Sequence, residues 1–288
     1  DASLTSSNTI QFRVTDTAGN TGTVATQLIT IDTTAPTSTV TINSITADSG
    51  RSSSDFITND SNGVTVNGTL SAALANDEIL EYSNDNGASF TDLTSSVSGT
   101  AISYIDSALT NTNTVQFRVT ETISGNIGTV ATQLITIDTT APTSTVAINS
   151  ITTDSGSSSS DFITNDSNGV AVNGTLSAVL ATGEILEYSN DNGVSFTDIT
   201  SSVTGTAISH ADASLTSTNT VQFRVTDTAG NSGTVATQLI TIDTTAPTRT
   251  VAINSITADS GSSVTDFITS DNDGLTVTAT LSSGLLTG

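Results

Sequence analysis

The stretch VATQLITIDTTAPTSTV at residues 24–40 decides the fold, because it returns twice further along the chain. It recurs unchanged at residues 130–146, and with the single substitution Arg249 at residues 235–251. Successive copies lie 106 and 105 residues apart, and the extra residue falls within residues 121–126. A period of this length is one whole domain per repeat rather than one turn of a solenoid.

The period divides the chain into four parts if each repeat begins after the Asp of the I-D-T-T-A-P linker. Two complete copies are predicted, repeat 1 at residues 33–138 and repeat 2 at residues 139–243. Residues 1–32 are predicted to be the C-terminal part of a preceding repeat, and residues 244–288 the N-terminal part of a following one. We therefore expect the chain to be a segment of a longer tandem array.

Alternation of apolar and polar residues predicts seven short strands, A to G, in each copy. In repeat 1, strand F should point Val115, Phe117 and Val119 inward, and strand G, the most apolar, should lie centrally. The segment SNDNGASF predicts a tight Asn-Gly hairpin between strands C and D, with Phe90 packed inward. Helical periodicity is absent. The predicted fold class is all-β: tandem seven-strand immunoglobulin-like β-sandwiches in a linear rod.

Composition excludes several classes of function. The net charge is −23, with 28 acidic residues against five basic ones, so the chain should repel nucleic acid and anionic membrane surfaces. Cysteine is absent, which excludes a disulfide framework and thiol chemistry. No apolar run approaches the roughly 20 residues of a membrane span, so direct membrane insertion is not expected.

Catalysis is not expected either. His210 is the only histidine, and the equivalent residue of repeat 1 is Tyr104. A catalytic residue would hardly be interchangeable with tyrosine, and nothing else in the sequence provides a base to activate a nucleophile. We interpret His210 as an exposed or edge-strand aromatic residue. The chain is therefore predicted not to be an enzyme.

Acidic residues collect in loops that should meet where two repeats join. Successive strands of a seven-strand sandwich run in alternating directions, so alternate loops lie at the same end. This strand parity places the incoming linker and the FG loop at one end of a sandwich, and the AB loop and outgoing linker at the other. Carboxylates that converge there without a nearby lysine would repel each other unless a cation lay among them, and oxygen ligands favour Ca²⁺. The alternative is that these residues only make turns. The candidate calcium ligands are Asp16, Asn20, Asp32, Asp48, Asp55, Asp60, Glu121, Asp138, Asp154, Asp161, Asp166, Asp227, Asn231 and Asp243.

The FG loops of the two complete copies differ. Repeat 2 has D-T-A-G-N at residues 227–231, whereas repeat 1 has the longer E-T-I-S-G-N at residues 121–126. A longer and less preorganised ligand set binds calcium more weakly. We therefore expect weaker calcium binding at the Asp32 junction than at the Asp138 junction.

Three sequence motifs together resemble the bacterial Ig-like tandem (extender) repeats of giant RTX-type adhesins. They are V-x-D-x-A-G-N at residues 14–20, I-T-I-D-T-T-A-P at residues 29–36, and S-x-D-F-I-T-N-D at residues 53–60 and 159–166. The resemblance covers the whole chain, but residues 121–126 depart from its pattern. It implies secreted rods at the bacterial cell surface that bind calcium at domain junctions and hold a ligand-binding tip away from the cell.

The preferred hypothesis is a calcium-stiffened structural spacer of a large adhesin, whose partners are neighbouring repeats of the same chain. Near-identical copies favour it, because a rod needs length and uniform junctions rather than distinct pockets. One alternative is a subunit of an extracellular filament or surface layer, in which like molecules are partners. Another is a carbohydrate- or ice-binding module, which would need an aromatic platform or a pocket on every copy; aromatic residues make up only 4% of the chain.

Overall fold

A computed structural model describes residues 3–285, and strands dominate that part of the chain. The N-terminal segment forms an antiparallel pair, β1 (Asn8–Phe12) and β2 (Ala25–Ile29). The C-terminal segment forms a second antiparallel pair, β21 (Val251–Ile256) and β22 (Val277–Leu281). Each pair is a fragment of the pattern that the complete repeats show in full.

Repeat 1 is a two-sheet sandwich. One sheet has the order β3-β5-β9-β8 and the other β4-β11-β10-β6-β7. The strands are β3 (Val40–Ile45), β4 (Ile57–Thr58), β5 (Val64–Leu70), β6 (Glu78–Ser83), β7 (Thr91–Asp92), β8 (Val97–Ser98), β9 (Ala101–Asp106), β10 (Asn113–Glu121) and β11 (Ala131–Ile137). The seven predicted strands are therefore accompanied by two short ones, β4 and β8. A 3-10 helix at Thr94–Ser96 precedes β8.

Repeat 2 has the same two sheets, with orders β12-β14-β18-β17 and β13-β20-β19-β15-β16. Its strands are β12 (Val146–Ile151), β13 (Ile163–Thr164), β14 (Val170–Leu176), β15 (Ile185–Ser189), β16 (Thr197–Asp198), β17 (Val203–Thr204), β18 (Ala207–Asp212), β19 (Asn219–Thr226) and β20 (Ala236–Ile242). A 3-10 helix at Thr200–Ser202 repeats the one in repeat 1. Within residues 3–285 no helix is long and apolar enough to cross a membrane.

Each complete repeat has its own hydrophobic core between its two sheets. In β10 the side chains of Val115, Phe117 and Val119 are fully buried, as the alternation predicted. Strand β10 lies in the middle of its sheet, with β11 on one side and β6 on the other. Strand G, β11, also lies inside the sheet, between β10 and the two-residue edge strand β4, and its one buried side chain is Ile135.

The hairpin phenylalanine does not pack inward as expected. Phe90 is only partly buried, and the guanidinium carbon of Arg118 lies 3.7 Å from the centre of its ring. Arg118 alternates with the buried residues of β10, so this contact lies on the outer face of the sheet. Glu81 accepts a 2.7 Å hydrogen bond from Arg118 Nε. The same arrangement recurs at Phe196 and Arg224 in repeat 2.

The short strand β4 fixes the AB loop to the outgoing end of repeat 1. It pairs in parallel with the end of β11, and the Asp138 amide donates a 2.9 Å hydrogen bond to the Thr58 carbonyl. Strand β13 holds the AB loop of repeat 2 in the same way, with the Asp243 amide 2.9 Å from the Thr164 carbonyl. The loop with the most candidate ligands therefore lies beside the linker to the next repeat.

Candidate functional site

The AB loop is held in a backbone conformation that L residues rarely adopt. Ala47 and Phe56 have φ values of 60° and 62°, and Thr58 Oγ1 closes the loop with a 2.6 Å hydrogen bond to the Ala47 carbonyl. Positive φ at non-glycine residues carries strain of about 1–3 kcal/mol each, which the surrounding structure must offset. The same positions have positive φ in repeat 2 and in the C-terminal segment.

This loop encloses one carboxylate oxygen without a partner. Asp48 Oδ2 accepts a 3.2 Å hydrogen bond from the Phe56 amide, whereas Asp48 Oδ1 is buried and makes no hydrogen bond. Asp154 and Asp259 each have the same orphaned Oδ1. A buried carboxylate oxygen without a donor is costly, so its recurrence in three copies calls for a physical reason.

Burial raises the pKa of the Asp48 carboxyl group. The Phe56 amide opposes this rise, and the neighbouring Asp55 adds to it through a hydrogen bond and through charge repulsion. Two carboxylates in one loop disfavour the charged form of each other when no cation is present.

Other candidate ligands in the AB loops each make a local turn. Asp55 Oδ1 accepts the Ile57 amide at 3.1 Å, and Asp60 Oδ1 accepts the Asn62 amide at 2.9 Å. Asp161 and Asp166 repeat these bonds in repeat 2, at 3.1 and 3.0 Å. One oxygen of each carboxylate is thereby committed to the backbone, as the turn-making alternative expects.

Linker aspartates follow the same rule. Asp32 Oδ1 accepts the Thr34 amide at 2.9 Å, Asp138 Oδ1 accepts the Thr140 amide at 2.9 Å, and Asp243 Oδ1 accepts the Thr245 amide at 2.8 Å. Each linker therefore leaves its repeat through an identical Asp turn.

In repeat 2 the FG loop closes on itself and on the linker. Asp227 accepts the backbone and side-chain amides of Asn231, both at 2.9 Å, and Asn231 Nδ2 also donates to the Asp138 carbonyl at 2.8 Å. The N-terminal segment has the same internal pairing, and Asn20 lowers the pKa of Asp16. The FG loop thus contacts the incoming linker, as strand parity predicted.

The FG loop of repeat 1 is one residue longer and also contacts its incoming linker. Asn126 Nδ2 donates to the Asp32 and Thr34 carbonyls at 3.2 and 3.1 Å and to Glu121 Oε2 at 3.0 Å, and Ser124 also donates to Glu121. Beside this loop lies a cleft of about 480 Å³. Its lining residues are Thr30, Ile31, Asp32, Asp77, Glu121, Ile123 and Ser124.

Asp77 in that cleft was missed by the sequence reasoning. The corresponding residue in repeat 2 is Gly183, so the cleft of repeat 1 has a carboxylate that repeat 2 lacks. An alignment of the two copies would have revealed the difference, because it is one of the few charged differences between them.

The AB loop of repeat 1 meets the FG loop of repeat 2. Ser49 Oγ donates a 2.6 Å hydrogen bond to the Ala229 carbonyl, and Ala229 is 1% exposed. Arg51 lies 3.9 Å from Asp198 of repeat 2, with both side chains about half exposed. The structure thus brings together the two loops that were expected to meet.

Nevertheless, no group of three or more His, Cys, Asp or Glu side chains in residues 3–285 is arranged to hold a metal ion. The calcium ligand set stays a prediction.

His210 lies away from this junction. Its ring centre is 4.6 Å from that of Tyr188, and its side chain is partly buried rather than exposed. In the sheet His210 pairs with Val172 of β14, whereas the short strand β17 on the other side of β18 pairs only with Ala207 and Ile208. Burial lowers the pKa of His210, and Asp212 opposes that shift. Tyr188 in turn donates a 3.0 Å hydrogen bond to buried Asp212.

Comparison with known proteins finds one matching family and several similar solved structures. A profile of the bacterial Ig-like domain family matches residues 2–33 and 113–244, more than half of the chain. No curated protein sequence matches.

The chain is also similar to solved structures, among them two from adhesion proteins. One is a Ca²⁺-stabilised adhesin that helps an Antarctic bacterium reach out and bind ice, with 24% identity, 88% of this chain and 61% of that chain covered, and a TM-score of 0.38. The other is a tetra-tandem repeat in the extending region of a large adhesion protein, with 16% identity, 88% and 60% covered, and a TM-score of 0.24. The chain therefore spans less than two thirds of either structure.

Proposed function

Because the chain belongs to the bacterial Ig-like domain family, we propose that it is a structural spacer in a large adhesin of the bacterial cell surface. In this proposal the repeats at residues 33–138 and 139–243 are the units of length. Calcium at their junctions makes them stiff, and the chain performs no catalysis.

The observation that carries the proposal is the contact between consecutive repeats. Each sandwich has its own core, and Ser49 of repeat 1 bonds directly to Ala229 of repeat 2 at 2.6 Å. A spacer needs this arrangement, because independent domains in series give length and a defined contact between them limits bending. The FG loop, the linker and the AB loop all contribute to that contact.

Calcium fits the chemistry of the AB loop. The orphaned Oδ1 atoms of Asp48, Asp154 and Asp259 are hard oxygen donors, and the loop has no histidine or cysteine that would favour zinc. The candidate ligands are the AB-loop aspartates together with the linker aspartates and the FG-loop residues. A bound ion would supply the positive charge that these carboxylates lack in a chain of net charge −23.

Small-angle scattering of the full chain, with calcium and with a chelator, tests the stiffening. We expect a long particle in calcium and a shorter maximum dimension in chelator, because uncompensated carboxylates would open the junction. The variant Asp48→Asn should reduce this difference. The matched control is Asp85→Asn, which removes a carboxylate that is hydrogen-bonded within the hairpin of repeat 1, to Ser83 and Ser89. An unchanged maximum dimension after chelation would contradict calcium stiffening.

The same measurement separates the spacer from the filament alternative. A particle mass equal to one chain supports a spacer made from a single chain. A mass that rises in multiples with calcium would instead favour a subunit of a filament or surface layer, whose acidic ends are bridged between molecules.

A further inference from the structure

The backbones of the two repeats approach each other closely at Gly50 and Gly230. A Cβ atom at Gly50 would lie 2.0 Å from the Thr228 carbonyl oxygen and 2.8 Å from the Ala229 carbonyl carbon. A Cβ atom at Gly230 would lie 2.9 Å from the Gly50 nitrogen. Real Cβ atoms do not approach backbone atoms this closely, so neither glycine can carry a side chain while the two loops stay in contact.

The same loops also occur in this chain without a partner. Gly156 of repeat 2 is the counterpart of Gly50, and Gly19 of the N-terminal segment is the counterpart of Gly230. Both have positive φ, 103° and 88°, but a Cβ atom on either would meet nothing within 4 Å. Positive φ therefore favours glycine at all of these positions. A steric clash of a Cβ atom with the other loop arises only where an AB loop and an FG loop meet.

Two further contacts define the surface at the tip of the AB loop, residues 48–51, here called the AB tip. Ser49 Oγ donates to the Ala229 carbonyl, which fixes the height of the FG loop above the tip. Ala229 is 1% exposed, so the space around its methyl group is closed. The ion pair of Arg51 with Asp198 is long and half exposed, so it adds little.

The FG loop of repeat 1 does not have the shape that this surface requires. It has one residue more, and Ile123, which is 84% exposed, stands in the region where repeat 2 has the small Ala229. An isoleucine side chain would have to enter a space that an AB tip closes around a methyl group.

We propose that the AB tip is a docking surface selective for a five-residue D-T-A-G-N FG loop on the following repeat. The six-residue loop at residues 121–126 does not seat on a tip of this kind. The occupant of the equivalent tip of repeat 2, residues 154–157, is accordingly another D-T-A-G-N loop. Loop type then determines which repeats can follow one another in the array. The selectivity comes from packing of the chain itself and is separate from the calcium binding of the proposed function.

A distance measurement on the full chain tests the joint. The sequence has no cysteine, so Ser98→Cys and Thr204→Cys, at equivalent exposed positions of repeats 1 and 2, give two unique spin-label sites. We expect Gly50→Ala to broaden the distance distribution to about twice its parental width, because domains without a firm interface move relative to each other. Gly156→Ala is the matched control, since it imposes the same positive-φ strain without the clash, and it should leave the distribution unchanged. Equal distance distributions for Gly50→Ala and Gly156→Ala would overturn the proposal that the AB tip docks on the FG loop of repeat 2.

Exchange of the loops tests the selectivity. Replacing residues 227–231 by E-T-I-S-G-N should broaden the distribution as Gly50→Ala does. Replacing residues 121–126 by D-T-A-G-N should not change it, because that loop lies at the other junction. A narrow distribution with E-T-I-S-G-N in repeat 2 would overturn the selectivity. All variants are measured in calcium and in chelator, with amide exchange of β10 and β19 to verify folding. Broadening by chelator alone, without any effect of Gly50→Ala, would support calcium stiffening and refute the glycine joint.

Discussion

The incoming ends of repeats 1 and 2 differ far more than the sandwiches behind them. Both repeats have the same two sheets in the same order, and their cores use matching residues. At the incoming end, however, repeat 2 has a compact FG loop whose Ala229 is buried against the preceding AB loop. Repeat 1 has a longer loop with an exposed Ile123, beside a cleft lined by Asp32, Asp77 and Glu121.

This difference indicates that the junction loops of a tandem array can change in sequence and length while the cores of the sandwiches stay the same. The core depends on a strict alternation along strands, so a change there affects the whole sandwich. A loop can gain a residue without disturbing the sheets, because its ends remain fixed by β10 and β11 or by β19 and β20. The array can therefore vary its joints while its units stay the same.

The largest expected effect should not distinguish the two repeats at all. Phe117→Ala and Phe223→Ala each remove a fully buried ring from equivalent places. Each should cost about 3–5 kcal/mol of stability, from lost burial and the cavity left behind. Amide exchange of the full chain, followed in the distinguishable peptides that contain β10 and β19, measures both. Effects that differ by several kcal/mol would show that the cores are not equivalent.

The next largest expected effect is a loosening of the junction between repeats 1 and 2, with no change at the other junctions. Asp138→Ala removes the turn in which Asp138 Oδ1 accepts the Thr140 amide, at a cost of roughly 0.5–1.5 kcal/mol. We expect a broader distance distribution between repeats 1 and 2, with both sandwiches still folded. Asp243→Ala removes the same turn from the following linker and serves as the control, since it should not change that distribution. Unfolding of the adjoining repeats would show instead that Asp138 stabilises a single domain.

A smaller effect should appear in calcium binding at the two junctions. The loop with Glu121 is one residue longer than the loop with Asp227 and is expected to offer a less preorganised ligand set, so the Asp32 junction should lose calcium at a higher free concentration than the Asp138 junction. A calcium titration monitored by NMR at residues 126 and 231 gives both midpoints. Equal midpoints would mean that the FG loop is not a principal ligand.

Asp77 offers a way to sharpen this comparison. It adds a carboxylate to the cleft of repeat 1, and an extra charge favours calcium. Asp77→Gly copies the residue of repeat 2 and should weaken binding at the Asp32 junction further. If Asp77→Gly has no effect there, Asp77 only makes the cleft polar, and loop length alone sets the difference.

Sequence reasoning predicted the parts of this molecule that depend on periodicity. The alternation of Val115, Phe117 and Val119 predicted a buried strand face, and strand parity predicted that Asn231 would lie beside Asp138. It failed where tertiary packing decides. The outward position of Phe90 depends on Arg118 of another strand, and the glycine contact across the joint depends on how two domains meet. Neither has a local signal in the sequence.

The smallest expected effect is a difference between the two repeats in how their stability depends on pH. His210 of repeat 2 stands where repeat 1 has Tyr104, and burial lowers the pKa of His210 below its usual value of 6.5. The neutral ring is therefore favoured in the folded state, so protonation favours unfolding. The stability of repeat 2 should be fully present above about pH 6.5 and should fall as pH drops through the folded-state pKa. Repeat 1 has no group that titrates in this range at the equivalent place, because tyrosine stays neutral.

That difference should be small, because His210 is only half-buried and Asp212 partly offsets the effect of burial. Amide exchange in β18 and β9, compared at pH 7 and pH 5 after correction for the intrinsic rate, measures it in the full chain. His210→Tyr should abolish the pH dependence of repeat 2, and Tyr104→His should introduce one in repeat 1. If repeat 2 keeps its pH dependence in His210→Tyr, the cause lies in the carboxylates of its loops, and the two repeats then differ at their junctions alone.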